Sequence, residues 1–489
     1  MKRPESQLVH YDLVKHHFVF GVTFLFVGLL AGFLYSLQFI HHYPFEGIEW
    51  LSAARVRMLH TNAIAYGFLV NGFTGALYYA VPRTTGNPVL SRKLGVFLGW
   101  ALQFTVLATA VGILLGRAQA VEWGETPTGF EPGSLQPNWI PCDLLVCVFA
   151  VGLAIQMSAP MLRARGKRLY VTAWYVTAGL IWTILTYVMG NFLPEWFLPG
   201  TAGAAVVGLY IHDLVGLFVT PMGWGLMYFF VPVILRKPIW SHSLSIIGFW
   251  ALAFFYPLNG VHHFLLSPIP MYVQYGAILA TMAVEVVVTT VVVNFFATLW
   301  GRGHAVRENL PIRWFYTGMV LYFITCLQCA WHTTVHAQKI IHFTDWVPGH
   351  AHLVMFGVFT FWLIGIITWL WPRITGNEWY SKKLLSHQYW WTVVGLSVMF
   401  VDLTAAGLVQ GFMQRALDPW LEIVGAEVPF WFVRTLSGAM ILLGYAMFLY
   451  NLWMTARVQR APYREEDHLA RIPAETPADL HLPTTAPEV

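Results

Sequence analysis

Apolar residues run in long blocks along almost the whole chain, and short polar breaks separate them. A helix needs about 20 apolar residues to cross the hydrocarbon core of a bilayer. Twelve blocks reach that length: residues 17–40, 59–82, 93–115, 142–163, 169–192, 203–235, 243–268, 272–298, 313–336, 349–371, 388–413 and 429–456. The sixth is overlong for one perpendicular crossing, which predicts a tilted helix or a preceding loop helix. The pattern predicts an all-α polytopic membrane protein, with a tail at 1–16, a twelve-helix domain at 17–456 and a tail at 457–489. From residue 461 onward the second tail is polar and proline-rich, so it reads as disordered. "MKRPESQLVHYDLVKHH" is polar for 17 residues and the block behind it is long enough to span, so no cleavable signal is expected. No internal repeat is expected at the level of motifs.

Composition agrees. The chain is 57% hydrophobic and only 11% charged, where a soluble domain carries about 25% charged residues. The net charge of +4 forms no basic stripe, which argues against a nucleic-acid partner. Of the four cysteines (Cys142, Cys147, Cys326 and Cys329), the last two make a CxxC inside an apolar block. A redox or metal reading of that spacing needs a loop or a βαβ unit, so packing is the expected role.

Charge then orients the blocks. The first tail and every even-numbered connection are basic: Lys2, Arg3 and Lys15; Arg83, Arg92 and Lys93; Arg163, Arg165, Lys167 and Arg168; Arg236 and Lys237; Arg302, Arg307 and Arg313; Arg373, Lys382 and Lys383; Arg457 and Arg460. The odd-numbered connections are poor in Lys and Arg, and several carry acids such as Glu122, Glu125, Glu131, Glu195, Asp418, Glu422 and Glu427. The positive-inside rule places both termini in the cytoplasm. The expected location is a prokaryotic cytoplasmic membrane, crossed many times.

With that orientation, six histidines from four blocks fall at one depth near the outer face: His60, His212, His262, His263, His350 and His352. A single histidine near a helix end is ordinarily an interfacial or hydrogen-bonded residue. Six at one depth point to function, because ionisable groups inside the membrane are costly. Neutral imidazole suits iron, copper or zinc. His350 and His352, in "GHAH", point about 200° apart on a helix, so they face different partners. His262 and His263 adjoin at a helix end loosened by Pro257 and Gly260, where both can converge on one ion with His212. Three histidines leave an open coordination position for a small substrate.

These residues resemble the haem–copper oxygen and nitric oxide reductases, and within that superfamily most of all the cbb3-type (C-family) catalytic subunit. The resemblance rests on the histidine set and on "RMLHTNAIAYGF", "MYFFVPVILRKPIWSHSLSIIGFWAL", "HFTDWVPGHAH" and "GLVQGFMQRAL". It implies two haems and one copper ion. His60 and His352 would be the axial ligands of a low-spin haem b. His350 would be the proximal ligand of a high-spin haem of b type. His212, His262 and His263 would bind copper. Tyr256 matches the C-family active-site tyrosine, which is cross-linked to the histidine of the sixth helix. Arg57 and Trp346 fall in the region of the haem propionates, with Arg55, His342 and Asp345 nearby. The implied reaction is O₂ reduction to water by a respiratory oxidoreductase. Electrons would come from an outer-side donor subunit, of cytochrome c or copper-containing type.

The sequence also departs from that pattern. A glutamate of the ninth C-family helix is Gln328 here, and a following lysine is Val335. Conversely, Glu285 lies in mid-block eight, about 20 Å from the outer helix end, as a replacement proton carrier or part of a local polar pair. The departures keep open a second reading, NO reduction to N₂O with non-haem iron or copper at the three histidines. Better-known nitric oxide reductases carry a glutamate four residues after the first of these histidines. That position is Gly216, and Asp213 follows His212 on a different helix face. A third reading, a haem b membrane anchor or transporter, uses only His60 and His352.

Overall fold

The computed structural model describes residues 8–116, 142–164, 169–198 and 200–471, and these are almost wholly helical. Among the described residues twelve helices are long and apolar enough to cross a membrane: Tyr11–Ile40, Ala53–Thr85, Arg92–Leu114, Leu144–Arg163, Val171–Pro194, Thr201–Leu235, His242–Phe264, Met271–Leu299, Leu310–His332, Trp346–Thr375, Lys382–Ala416 and Trp420–Arg457, here spans 1 to 12. Spans 11 and 12 extend past the expected bounds at both ends, because their polar flanks continue the helix. Span 6 is one continuous helix. The acids Glu122, Glu125 and Glu131 and the basic residues Lys2, Arg3, Arg165, Lys167 and Arg168 lie outside the described residues.

Spans 2 and 10 form the centre. In their most apolar stretch 89% of residues are buried, against 33–56% in the other ten spans. The outer spans expose large apolar side chains such as Leu185, Phe254 and Leu279, as a lipid-facing surface requires.

Three spans switch to the wider π winding one to three residues beyond a histidine. The segments are Ala63–Val70 after His60, Val215–Val219 after His212, and Leu353–Thr360 after His352. Such widened turns are frequent at functional sites, because they re-aim the side chains around them.

The chain is also built on a repeated corner, which corrects the expectation of no repeat. "PRTTGNPVLSRKL" at 82–94 and "PRITGNEWYSKKL" at 372–384 match closely. Spans 2, 6 and 10 each end on a left-handed residue: Gly86 (φ 68°), Arg236 (φ 52°) and Gly376 (φ 71°). Spans 3, 7 and 11 each begin on a serine whose side chain accepts from a backbone N–H three residues on: Ser91 from Leu94, Ser241 from Leu244 and Ser381 from Leu384. An amide from the next span holds each serine's backbone at both ends. Gln156 does so for Ser91, Asn294 for Ser241 and Asn451 for Ser381. Buried amides that donate and accept at once leave no backbone group unpaired at the corner.

The second tail departs from expectation over residues 458–471, which are ordered against the bundle end away from the histidines. Glu378 N–H donates to Ala461 O at 2.9 Å, Tyr463 N–H to Gly376 O at 3.0 Å, and Ala470 N–H to Ile234 O at 2.9 Å. Arg373 pairs with Glu465 at 2.6 Å, and His468 bonds Glu378 at 2.7 Å. Composition predicts disorder because the stretch has few apolar side chains. Backbone and charge pairing to the helix ends supplies the hold instead. Residues 472–489 lie outside the described part.

Candidate metal centre

The six histidines fall into a pair, a trio and one residue, His350, that stands with other partners. In the first, His60 of span 2 faces His352 of span 10, with ring centroids 6.2 Å apart and planes 20° apart. His60 Nδ1 bonds Gly28 O at 2.7 Å, and His352 Nδ1 bonds Pro348 O at 2.7 Å. A carbonyl oxygen only accepts, so each Nδ1 carries the proton and each Nε2 keeps a lone pair. Metal–imidazole bonds are roughly 2 Å long, so ring centres at this separation leave space for one ion between two nitrogens. Span 1 makes room for the pair: a Cβ on Gly32 would fall 2.6 Å from His60 Nδ1. The donor set and the space fit a bis-histidine haem.

In the second group, His212, His262 and His263 each offer a nitrogen within 4.8 Å of the others. His212 Nδ1 and His263 Nε2 are 2.9 Å apart. His262 Nδ1 lies 2.8 Å from Thr281 Oγ1, and that hydroxyl donates to Ala277 O at 2.7 Å. Thr281 is thereby left as an acceptor, so His262 Nδ1 holds the proton and Nε2 is free for a metal. The span 7 helix proper ends at Asn259, and Gly260–Phe264 tighten into a 3₁₀ turn. That turn swings two adjacent imidazoles to one side, as the proline and glycine predicted. Nε2 of His212 is buried without a partner. The Tyr256 ring stacks on His212 at 4.6 Å and 18°. Gly216 is what admits it: a Cβ there would fall 1.6 Å from Tyr256 Cε1. The set fits a copper or iron ion with an open position.

His350 faces away from His352, as two residues of helix require. Its Nδ1 lies 3.1 Å from Gln328 Oε1, and its Nε2 lies 3.5 Å from Cys329 Sγ. The His332 ring stands 4.4 Å from it, edge-on. Cys329, His332 and His350 form a second group whose donor atoms lie within 4.8 Å of one another. Sequence reasoning passed over His332, although "CAWH" puts it at the outer end of its block with the other six. The Cys329 thiol packs against a candidate ligand, His350. No cysteine among Cys147, Cys326 and Cys329 is in a disulfide. His350 remains in electrostatic reach of His212 and His263, so the two halves of the site adjoin.

The outer rim differs in part from expectation. Arg55 is held by Glu49 at 3.1 Å and by the Leu114 carbonyl, which ties it to the loop. Arg57 lies in electrostatic reach of His60. Trp346 is buried and donates to His332 Nδ1 at 3.4 Å. His342 bonds Gln338 at 2.8 Å, and burial holds its imidazole below the usual range. A cation that the sequence did not single out, Arg434 of span 12, lies in reach of His352, stacks over Phe39 at 4.2 Å and stands 4.0 Å from Asp345.

Asp213 is buried with one carboxylate oxygen unpartnered, and it belongs to neither metal-binding group. Glu285 of span 8 is half-buried and lies in electrostatic reach of Tyr322, Cys326 and Cys329 of span 9. A largely apolar cavity lies between spans 2 to 6, with Asn62, Tyr66, Val106, Tyr187 and Leu214 in its wall.

Comparison with known proteins bears on the family and the fold. The family described as cytochrome c and quinol oxidase polypeptide I matches residues 12–440. The chain is 27% identical to the cbb3-type cytochrome c oxidase subunit CcoN1 of Stutzerimonas stutzeri, over 96% of this chain and 100% of that one. It is 27% identical to cytochrome c oxidase subunit 1 of Rhodobacter capsulatus, over 92% and 86%. It is 24% identical to a nitric oxide reductase subunit of Stutzerimonas stutzeri, over 93% and 97%. A solved haem–copper terminal oxidase dimer shares the fold, with a TM-score of 0.76 and 15% identity over 93% of this chain and 85% of that one.

Proposed function

The chain belongs to the cytochrome c and quinol oxidase polypeptide I family, and from that premise we propose that it reduces O₂ to water in a prokaryotic cytoplasmic membrane. It is a multi-pass catalytic subunit of the haem–copper superfamily. In this reading His60 and His352 hold a low-spin haem b, His350 holds a high-spin haem, and His212, His262 and His263 hold copper. Bound there, these groups supply stored electrons and a place for the gas. Bis-histidine ligation at the first haem leaves no position for substrate, which confines that haem to electron transfer.

One observation carries the oxidase assignment. Tyr256 lies flat on His212 in a space that exists only because residue 216 is glycine. A glutamate at 216, as in the better-known nitric oxide reductases, does not fit beside this tyrosine. In this reading Tyr256 supplies a proton and an electron at the site, and its link to His212 forms by a two-electron oxidation in which O₂ is the oxidant.

Protons reach Tyr256 along span 9. Glu285 lies in electrostatic reach of Tyr322, and Tyr322 of Tyr256, and this reading assigns proton delivery to that part of spans 8 and 9. The apolar cavity between spans 2 to 6 suits a neutral diatomic gas dissolved in lipid. Both termini face the cytoplasm and the metal centre the outer side. An outer-side subunit of cytochrome c or copper-containing type supplies electrons.

A second reading, NO reduction to N₂O, is favoured by Asp213, which is buried beside His212 with an unpartnered oxygen. Gln328 in place of the C-family glutamate adds to it. Elemental analysis of the purified enzyme separates the oxidase from an iron-loaded reductase, and turnover with O₂ against NO separates it from a copper-loaded one. Two irons and one copper per chain are expected for the oxidase. Three irons and no copper would overturn it in favour of the reductase, and turnover with O₂ against NO checks the same choice.

A further inference from the structure

Four rings make an unbroken line from the protein surface to the candidate haem ligand His350. Trp331, near the end of span 9, is 44% exposed. Its ring stands 5.1 Å from that of Trp346, tilted by 53°. Trp346 opens span 10 and is buried, and its Nε1 donates to His332 Nδ1 at 3.4 Å. The His332 ring stands edge-on to His350 at 4.4 Å.

Packing fixes Trp346 in that line. A Cβ on Gly407 of span 11 would fall 2.1 Å from the Trp346 backbone nitrogen, so span 11 lies directly against it. Ala337 and Ile341 form a small apolar cluster with its ring. Taken singly, each tryptophan has an ordinary role. Trp331 can anchor a span at the interface, and a buried indole N–H needs some acceptor. Together they bring two readily oxidised side chains into contact, one beside the metal centre and one at the surface.

The centre also adjoins a group that oxidation would destroy. Cys329 Sγ lies 3.5 Å from His350 Nε2. It is a free thiol, and thiol oxidation beyond the sulfenic stage is irreversible in most proteins. A thiol in that position meets each oxidising equivalent that donor electrons fail to quench.

We propose that Trp346 and Trp331 form an electron relay that drains oxidising equivalents from the metal centre to the protein surface. The proposal rests on the reading of His350 as a haem ligand, and the oxidant is O₂ or hydrogen peroxide. When the centre stands one electron short, Trp346 supplies that electron by way of His332 and is left as a radical cation. Its Nε1 proton stays on the indole, and the hydrogen bond to His332 stabilises the charge. Trp331 then reduces Trp346 by one electron. Exposed Trp331 releases its indole proton to water and is left as a neutral radical. A small thiol restores it by giving up a hydrogen atom, and two such thiols end as one disulfide. The centre gains one electron for each thiol consumed, and Cys329 is spared.

The test treats the purified, oxidised enzyme with hydrogen peroxide in the absence of electron donor, for wild type, Trp331→Phe and Trp346→Phe. Freeze-quench electron paramagnetic resonance, with and without ring-deuterated tryptophan, identifies an indole radical by its hyperfine pattern. Wild type is expected to give that signal and to lose it when a small thiol is added. In Trp331→Phe the radical is expected to stay on buried Trp346 and resist the thiol, and in Trp346→Phe the signal is expected to be lost. Peptide mass spectrometry should find oxidation at Trp331 with Cys329 intact in wild type, and sulfinic Cys329 in both variants. No indole signal in wild type, a signal that survives Trp346→Phe, equal quenching in wild type and Trp331→Phe, or equal Cys329 oxidation in all three proteins would overturn the relay while leaving the haem reading intact. A wild-type spectrum without a high-spin haem would remove both. Each variant's haem spectrum reports whether the bundle is intact, and exposed Trp331 keeps the test open if loss of the buried indole disturbs it.

Discussion

His60 and His352 face each other across 6.2 Å, and a backbone carbonyl bound to each Nδ1 turns both free lone pairs inward. The pair is preset for a ligand between the rings before any ligand arrives. Span 1 supports it through the Gly28 carbonyl and through the space left at Gly32.

Gly32→Val is expected to displace His60, because even a Cβ would sit 2.6 Å from its Nδ1. Overpacking of this kind costs about 1–3 kcal/mol. Haem content should fall from two to one per chain, with the bis-histidine spectrum lost and the high-spin signal kept. Two haems of unchanged spectrum would show that span 1 yields instead.

Gly216→Ala is expected to push Tyr256 off His212, since the new Cβ would overlap the ring. Turnover should drop by at least about tenfold, equivalent to roughly 1.4 kcal/mol of barrier. Peptide mass spectrometry should find a linked His212–Tyr256 peptide in the wild type and separate peptides in the variant. Separate peptides in both would count against the link.

Thr281→Val removes the acceptor that fixes the His262 tautomer. Loss of such a partner typically costs 10–100-fold in metal affinity. Titration with a competing chelator should strip the non-haem metal from Thr281→Val first, while Thr281→Ser resembles wild type. Equal retention in all three would assign Thr281 to packing alone.

Glu285→Gln is expected to slow turnover with the haem spectrum unchanged, because the amide keeps the shape but carries no exchangeable acid proton. If turnover is unchanged, Glu285 is structural and protons reach Tyr256 by another path.

Much of this site was legible in the chain. The spacing of apolar blocks sets the number of spans, and the alternation of basic connections sets which histidines share a depth. The single residue between His350 and His352 sends them to different neighbours, and the structure agrees: one meets span 9, the other span 2. His332, Gln328 and Thr281 were not legible as partners. Their contacts depend on which helix packs beside which, and a span's periodicity does not carry that information.

The same distinction holds for the rim. Arg55 and Arg57 are close to His60 in sequence and so invited attention, yet Arg55 is committed to Glu49. Arg434 reaches His352 across 82 residues of chain, through the packing of spans 10 and 12. The folded tail at 458–471 was missed for a related reason: it is held by backbone and charge pairs to distant helix ends, which leave no apolar signature.

The sequence by itself determined a twelve-span helical membrane protein with six histidines at one level, because burial in lipid writes hydrophobic length and charge asymmetry directly into the chain. Only the tertiary structure decided which ring nitrogen faces which partner, that Gly216 makes room for Tyr256, and that Arg434 stands beside Asp345. Those are matters of angle and contact between helices. Helical periodicity gives each residue a depth and a face, but the packing of neighbouring spans chooses what that face meets.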